Sequence, residues 1–202
     1  MTIYNPDLLL AHAFVQETHH NVFLTGKAGT GKTTFLHNLQ KTSSKRMVVT
    51  APTGVAAINA RGVTIHSFFQ LPFGPILPDG EGSSNPPRRF NRDKINIIRN
   101  LDLLVIDEIS MVRADLLDGI DKVLRRYRHR DAPFGGVQLL MIGDLHQLSP
   151  IVRDDEWEIL KPHYNSYYFF DSHALQQSER VTIELKHIYR QSDLEFIKLL
   201  NM

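Results

Sequence analysis

The sequence contains no cysteine, a single tryptophan and no long run of apolar residues. The absence of cysteine excludes disulfide bonds and thiolate metal sites, and it suits a reducing compartment. No segment approaches the ~18 consecutive apolar residues of a membrane-spanning helix, and the N-terminus lacks the basic and apolar regions of a signal peptide. We therefore expect a soluble intracellular protein without membrane contact, which would be cytoplasmic and nucleoid-associated in a bacterium.

Neither sign of charge is in excess: the sequence has 23 Lys and Arg and 22 Asp and Glu, for a formal net charge of +1. This balance excludes a generally polybasic protein, so a nucleic acid would have to be bound by local patches. The 202 residues, 42% of them hydrophobic, can form one sizeable core. We expect a single domain spanning residues 1–202, and a monomer.

One motif is complete: residues 26–33 match the pattern G-x-x-x-x-G-K-[ST] at every fixed position. An apolar run precedes it at 22–24 and a segment with helical character follows at 33–39. A glycine-rich surface turn is the alternative, but a plain turn does not need both Lys32 and Thr33. The motif predicts a triphosphate-binding loop with Gly26, Lys27, Ala28, Gly29, Thr30, Gly31, Lys32, Thr33 and Thr34 as nucleotide-binding residues.

The chemistry of the loop follows from its residue types. Glycines let successive backbone N–H groups converge on phosphate oxygens, and the helix that follows adds its positive end. Lys32 would place a cation between the β- and γ-phosphates, and the Thr33 hydroxyl would be a ligand of Mg²⁺. The predicted cofactors are ATP and Mg²⁺.

Short β-rich runs alternate with amphipathic segments along the chain. We predict strands at 22–25, 46–50, 103–107, 138–143, 167–170 and 181–185. This alternation predicts an α/β fold of the RecA-like P-loop type, a mainly parallel sheet with helices on both faces.

The clearest predicted helix covers residues 114–130. Its apolar positions fall near one face, and Asp115, Asp118, Asp121 and Lys122 fall largely on the other, which predicts that these four are exposed. The basic end at 125–130 is interpreted as a solvated helix C-terminus that complements the helix dipole, with a nucleic-acid patch as the alternative.

Prolines and glycines concentrate at 72–87 and interrupt the pattern. We interpret this stretch as a surface excursion outside the core. The basic and aromatic residues that follow, up to Lys94, are equally compatible with contact to a nucleic-acid backbone and with a solvated linker.

Two predicted strands end in polar residues suited to nucleotide chemistry. Asp107 and Glu108 follow an apolar strand, and at the carboxyl edge of a parallel sheet they would reach the phosphate loop. Asp107 is suited to hold Mg²⁺ and Glu108 to take a proton from the attacking water. Gln147 follows the strand at 138–143 and could contact the γ-phosphate, although a turn-capping role is equally compatible with the pattern.

Three further segments, at 50–57, 62–69 and 185–193, indicate the subclass of nucleotide-binding protein. Together with TGKAGTGKT, VIDEIS and GDLHQLSPI they form six ordered motifs that resemble the Pif family of 5′-to-3′ DNA helicases, relatives of RecD in superfamily one. The resemblance runs from about Val22 to the C-terminus. It implies the first RecA-like motor domain of an ATP-dependent DNA helicase that acts in DNA repair, recombination or genome maintenance, including telomere maintenance.

The resemblance also implies roles for individual residues. Lys32, Glu108, Gln147 and Arg190 would be catalytic, with Arg190 reaching the γ-phosphate, while Thr33 and Asp107 would hold the metal. Thr53, Gly54, His66, Ser67 and Phe68 lie in segments that line the family's single-strand track. Of Phe68 and Phe69 we expect one to be buried, and for His66 a structural hydrogen bond is an equal alternative to DNA contact.

Several expectations concern the rest of the motor. The excursion at about 72–94 falls where family members insert a small wedge-bearing subdomain. The upstream glutamine that reads adenine in the family has no clear counterpart here, where Gln16 and Asn5 are the nearest amides. We expect a second RecA-like domain to be required as a partner, because the chain stops just after the Arg190 motif. Without it, the fragment is expected to bind ATP-Mg and, weakly, single-stranded DNA but not to unwind duplex.

Two other classes remain open from sequence alone. Another P-loop ATPase of the remodelling type would share the loop and the acids. A non-catalytic DNA-binding module with a vestigial loop is the second alternative, and full retention of Lys32, Thr33, Asp107, Glu108 and Gln147 argues against it.

Overall fold

The computed structural model describes residues 5–78 and 90–189. Six strands form one sheet: β1 (Asn21–Gly26), β2 (Met47–Ala51), β3 (Val63–Thr64), β4 (Leu103–Ile106), β5 (Gln138–Gly143) and β6 (Arg180–Leu185). Their order across the sheet is β3-β2-β4-β5-β1-β6, and every neighbouring pair is parallel. All carboxyl ends of the strands therefore meet at one edge.

The helices of the described residues lie between and beside these strands. They are α1 (Pro6–Glu17), α2 (Lys32–Thr42), α3 (Gly54–Asn59), α4 (Ile65–Phe69), α5 (Arg92–Arg99), α6 (Ala114–Tyr127), α7 (Asp154–Leu160) and α8 (His173–Gln176). Short polar side chains fix several N-termini: Asn5 caps α1, Thr53 caps α3 and Asn91 caps α5. In the described ranges, no helix has the length and apolar character needed to cross a membrane.

Successive residues of the central strands enter two different cores, which explains why β4 and β5 are buried throughout. Val22 and Leu24 of β1 join the core covered by α1 and α2, whereas Phe23 between them joins the core that contains α4, α5 and α6. The central strands of a parallel sheet are covered on both faces, whereas β6 at the edge keeps Arg180, Thr182 and Glu184 exposed. The predicted α/β fold with helices on both faces is confirmed.

One predicted strand is wrong. Residues 167–170 do not pair with the sheet; they lead into a 3-10 turn at Phe169–Asp171, with one isolated bridge between Tyr168 and Arg113. Phe169 is buried and its ring meets Phe23 edge-on at 5.3 Å. A short aromatic run that covers the face of a sheet has the same composition as a strand, so periodicity cannot separate the two.

Helix α6 differs from its prediction in length and in exposure. It ends at Tyr127 rather than at residue 130. Asp115, Asp118 and Asp121 are buried, not exposed, because segments 71–78, 133–136 and 164–174 pack over the face that carries them. The basic end is only partly solvated, since the side chain of Arg128 donates to the carbonyls of Ile98, Arg99 and Gly135 at 3.2, 2.7 and 3.2 Å, and Arg125 pairs with Asp121 at 2.8 Å.

The excursion is described at its two ends only. Residues 72–78 have neither helix nor strand structure and lie against α6. At the far end Phe90 is buried and stacks on Tyr127 at 5.3 Å, and α5 begins at Arg92. Phe90 is therefore a core residue, not a nucleic-acid contact, and the predicted linker gives way to helix before Lys94.

Candidate nucleotide and nucleic-acid site

Most predicted site residues lie at the carboxyl edge of the sheet, in two groups. The phosphate loop follows β1, Asp107 and Glu108 follow β4, and the loop with Gln147 follows β5, and these three strands are adjacent. Thr53 and Gly54 follow β2, and His66 and Ser67 follow β3, at one end of the strand order. The edge thus has a nucleotide half and a second half that carries the predicted DNA residues.

The phosphate loop has the backbone geometry that its motif predicts. Gly29 and Gly31 take φ values of +81° and +95°, and Gly31 is the N-cap of α2. Buried Thr30 donates its hydroxyl to the carbonyl of Lys27 at 2.9 Å, which closes the turn. The Nζ of Lys32 donates to the carbonyls of Gly26 and Lys27 inside this turn. Thr33 and Thr34 lie exposed in the first turn of α2, open to a ligand.

The end of β6 and the residues after it support the loop, a contact that sequence reasoning missed. A Cβ at Gly26, where φ is +149°, would lie 2.7 Å from the carbonyl oxygen of Leu185. The backbone N–H of Tyr189 donates to the carbonyl of Gly29 at 2.9 Å, and its ring lies 3.6 Å from where a Cβ at Gly31 would stand. The chain thus brings Tyr189 next to the phosphate loop, and Arg190 lies outside the described residues.

Three carboxylates act on Lys32. Burial lowers the pKa of the Lys32 ammonium, and the negative charges of Asp144, Glu108 and Asp107 oppose that shift. Asp107 is only 8% exposed, and burial together with Glu108 raises its pKa to about 6. A bound cation would stabilise the charged form of this carboxylate. The Thr33 hydroxyl is a second hard oxygen ligand, so the donor set fits Mg²⁺.

Glu108 is positioned by an unusual backbone. It takes a left-handed conformation (φ 52°, ψ 44°) that is uncommon for a residue other than glycine. The 3-10 turn at Ile109–Met111 holds it there, since the N–H of Met111 donates to the Glu108 carbonyl at 3.0 Å. Glu108 is half-exposed beside the buried Asp107, so its carboxylate is the more accessible of the two.

Asp144 is a site residue for which the sequence analysis proposed no role. It follows β5 as Asp107 follows β4, and this parallel placement was the signal available in the sequence. Buried Asp144 accepts the side-chain amide of Gln147 at 2.9 Å and the backbone N–H of His146 at 3.0 Å. Gln147 is exposed, and its side chain is held by this carboxylate. The cap of this turn is therefore Asp144, and the Gln147 side chain binds the capping carboxylate.

On the second half of the edge, the predicted DNA residues differ in exposure. Gly54 and Ser67 are exposed, and a Cβ at Gly54 would meet nothing within 4 Å. The hydroxyl of Thr53 accepts the N–H of Ala56 at 3.2 Å as a helix cap. His66 is half-buried, and its ring stacks on Phe73 at 4.8 Å.

Phe68 does not offer a face for stacking. Both Phe68 and Phe69 are buried, so the expectation that only one of them is buried is wrong. Phe68 is 7% exposed, and the Nζ of Lys94 lies 3.5 Å from its ring centroid. The reason is that α4 is one short turn packed on the sheet, and both rings contribute to the core shared with α5 and α6.

The two candidate amides for adenine recognition lie at opposite ends of α1. Gln16 donates to the hydroxyl of Ser43 at 2.7 Å. Asn5 caps α1 through its oxygen, and among the described residues its buried amide nitrogen has no hydrogen-bond partner. The first turn of α1 reaches the phosphate loop, because Leu8 lies 3.9 Å from where a Cβ at Gly31 would stand. Asn5, not Gln16, therefore lies on the nucleotide side.

This chain is similar in sequence to known DNA helicases. A sequence model of the family described as "PIF1-like helicase" matches residues 8–200. The curated ATP-dependent DNA helicase PIF1 of Saccharomyces cerevisiae (strain YJM789) is 38% identical over 191 residues, which cover 92% of this chain and 21% of that protein. The human ATP-dependent DNA helicase PIF1 is 38% identical over 183 residues, covering 89% of this chain and 26% of that protein.

The fold of this chain is also similar to solved structures of Pif1 helicases. The structure of Bacteroides Pif1 bound to ssDNA superposes with a TM-score of 0.91 at 46% identity and covers all of this chain. The structure of Bacteroides Pif1 helicase in complex with ADP-AlF3 and ssDNA superposes with a TM-score of 0.92 at 45% identity. This chain spans 46% of each of those chains, and about a quarter or less of the length of the two curated relatives.

Proposed function

Since this chain belongs to the PIF1-like helicase family, we propose that it is the first RecA-like motor domain of an ATP-dependent 5′-to-3′ DNA helicase, acting in DNA repair, recombination or genome maintenance. The observation that carries the proposal is the division of one sheet edge into a nucleotide half and a half with the exposed small residues Gly54 and Ser67 beside His66. A motor that moves along DNA needs both sites on one rigid body, so that the state of the nucleotide can affect the grip on the strand.

In the nucleotide half, backbone N–H groups of residues 26–34 would cradle the phosphates, and Lys32 would leave the two carbonyls it now contacts to bind the β- and γ-phosphates. Thr33 and Asp107 would hold Mg²⁺, which supplies neutralisation of phosphate charge. Glu108 would take the proton of the attacking water. Arg190 would reach the γ-phosphate, where its cation would stabilise developing charge.

Gln147 would act together with Asp144. The bond between the two side chains fixes the orientation of the Gln147 amide, so its free oxygen and remaining N–H are available to the terminal phosphate or the attacking water. Loss of the γ-phosphate would then change the contacts of the whole loop after β5. For the base, we propose Asn5 as the amide that contacts adenine, because its nitrogen is unpartnered within the described residues and α1 reaches the loop there.

In the DNA half, Thr53, Gly54, His66 and Ser67 would contact the backbone of single-stranded DNA. Exposed hydroxyls and unobstructed backbone N–H groups are the donors that phosphate oxygens accept without regard to sequence. Phe68 is not included, because its ring is part of the core.

A second RecA-like domain is the partner we propose for turnover. Thr33, Thr34 and Gln147 are all exposed, so this side of the phosphate site is open to solvent. Closure of a second domain would exclude water and add charge to the site, and alternate closure and opening would move the strand. The chain alone would not unwind duplex.

The test is binding of a labelled oligonucleotide to the chain, measured by fluorescence anisotropy, with ATP turnover measured on the same samples. We expect preference for single-stranded over duplex DNA, an affinity that falls with salt, and slow or undetectable hydrolysis. Equal binding to both DNA forms, or none, would contradict the helicase assignment. Robust DNA-stimulated turnover by the monomer would contradict the need for a second domain.

A further inference from the structure

The segment 71–78, which follows α4, is fastened to α6 by polar contacts. The guanidinium of Arg113 donates to the carbonyl of Gly74 at 2.7 Å, and the N–H of Ile76 donates to the carboxylate of Asp115 at 2.8 Å. Arg113 and Asp115 also pair with each other at 2.7 Å, and both side chains are largely buried. Each charged group is therefore satisfied by its partner and by the backbone of the segment, which fixes the path of the chain on both sides of Pro75.

Apolar contacts reinforce this attachment. The side chains of Leu71 and Ile76 pack over Gly119 so closely that a Cβ there would lie 2.9 Å from Cδ1 of Ile76. The Nζ of Lys122 donates to the carbonyls of Leu77 and Pro78. From Leu71 to Pro78 the segment is thus held at several points along one helix, an arrangement that limits its conformational freedom.

Phe73 is the exception within this fixed segment. Its side chain is 88% exposed, although the chain is anchored on both sides of it. A single exposed apolar residue is ordinary, but this ring does not project freely into solvent. It stacks on the imidazole of His66 with 4.8 Å between centroids and 18° between planes. One face of the phenyl ring is therefore covered by another ring, and its exposure leaves the opposite face to solvent.

The imidazole beneath it is suited to this support. Burial, and then the positive charge of Arg113, lower the pKa of His66, so the ring is neutral at neutral pH. A neutral imidazole stacks as an aromatic ring, and the half-buried position of His66 at the start of α4 holds it in place. The two rings lie beside exposed Ser67, on the half of the sheet edge that carries the predicted DNA residues.

We propose that Phe73, supported by His66, is a stacking site for a nucleobase of single-stranded DNA. An exposed ring face accepts any base, which suits a protein that moves along a strand without reading its sequence. Because the segment is already ordered by Arg113, Asp115 and α6, a base that stacks there does not have to pay for ordering the loop. Phe73 would thus supply the aromatic contact that sequence reasoning assigned to Phe68. This inference rests on the proposed function.

The experiment compares anisotropy titrations of labelled oligothymidine and of an abasic oligonucleotide of equal length. With oligothymidine, we expect Phe73→Ala to weaken binding at least about fivefold, the lower end of what loss of one stacking contact costs. Phe73→Trp should retain the wild-type affinity, whereas Phe73→Leu should lose as much as alanine, because it keeps apolar area without a ring. With the abasic strand, the wild type and Phe73→Ala should bind alike.

Ile159→Ala is the control, an exposed apolar residue on α7 that should leave both affinities unchanged. Because the side chain of Phe73 is exposed, all variants should keep the wild-type melting temperature. Equal affinity of wild type and Phe73→Ala for oligothymidine, or full rescue by Phe73→Leu, would overturn the stacking site while leaving the proposed function intact. No binding of oligothymidine by the wild type would contradict the DNA-binding part of the proposed function and this inference with it.

Discussion

At the scale of single residues, the phosphate site is a balance of buried charges. Lys32 and Asp107 are each shifted by burial toward their neutral forms, and each is partly restored by the charge of the other. A triphosphate with a divalent cation would provide the missing counter-charge to both at once: phosphate oxygens for the ammonium and metal for the carboxylate. The residues of the site are thus arranged for a ligand that carries both signs of charge.

Gly26 allows a first residue-scale prediction. Gly26→Ala should lower the free energy of unfolding by about 1 to 3 kcal/mol, because the backbone conformation is strained for any other residue. The new Cβ would also press on the Leu185 carbonyl and on the Thr30 hydroxyl at 2.9 Å. Urea denaturation measures the change, and the distorted loop should also bind Mg-ATP less tightly.

Gly54→Ala is the matched control for this substitution. A Cβ at Gly54 meets nothing within 4 Å, and the residue opens α3. Its stability should equal or slightly exceed that of the wild type, since alanine favours helix. Similar losses in the two variants would mean that close contact at Gly26 is not what requires glycine there.

Residue positions were predictable where a motif prescribes a local backbone. The phosphate loop and the acids after β4 are of this kind, because glycine positions and a strand end fix their geometry within a few residues. Tyr189 and Phe73 were missed because their placement depends on contacts between distant segments. Phe68 was misassigned because its burial depends on α5 and α6 packing over α4, which the motif around it does not encode.

At the scale of elements, α6 organises the side of the molecule away from α1 and α2. Its three buried aspartates each hold a different segment: Asp115 holds 71–78, Asp118 holds 164–174 and Asp121 holds 133–136. The hydrophobic periodicity predicted the helix and its apolar face. It predicted that the acids are exposed, because the periodicity of one helix contains no information on other segments that pack over its second face. The same layer explains why 167–170 is a covering turn and not a strand.

Asp118 should be the most costly of these acids to remove. Its carboxylate accepts from the hydroxyls of Tyr164 and Ser172 at 2.9 and 2.6 Å and from the N–H groups of His173 and Ala174 at 3.1 and 3.0 Å. Asp118→Ala leaves these donors without an acceptor, so we expect a loss of about 3 kcal/mol or more in the free energy of unfolding. Denaturant unfolding followed by circular dichroism measures it.

The control for that variant is Asp155→Ala. Asp155 lies in the first turn of α7 with its side chain 73% exposed and a loose contact of 3.7 Å to Arg153. Its removal should change stability by no more than about 0.5 kcal/mol. A cost for Asp118→Ala as small as this would show that the network around α8 does not depend on the carboxylate.

At the scale of the whole molecule, the strand order determines what the domain can do. The alternation of strands and helices predicted a parallel sheet and therefore a functional edge, but it did not predict the order β3-β2-β4-β5-β1-β6. That order sets Asp107 and Glu108 between the phosphate loop and the segments after β2 and β3. The nucleotide and the single-stranded DNA would therefore be bound on opposite sides of Asp107 and Glu108.

Isothermal titration with a non-hydrolysable ATP analogue and Mg²⁺ would show whether residues 26–33 bind a Mg-nucleotide, as we propose. The wild type should bind at a single site. Lys32→Ala should weaken binding at least about tenfold, because it removes a charge-assisted contact, while the melting temperature stays unchanged. Lys27→Ala, which removes an exposed side chain from the same loop, should bind like the wild type. Unchanged affinity in Lys32→Ala would contradict the site.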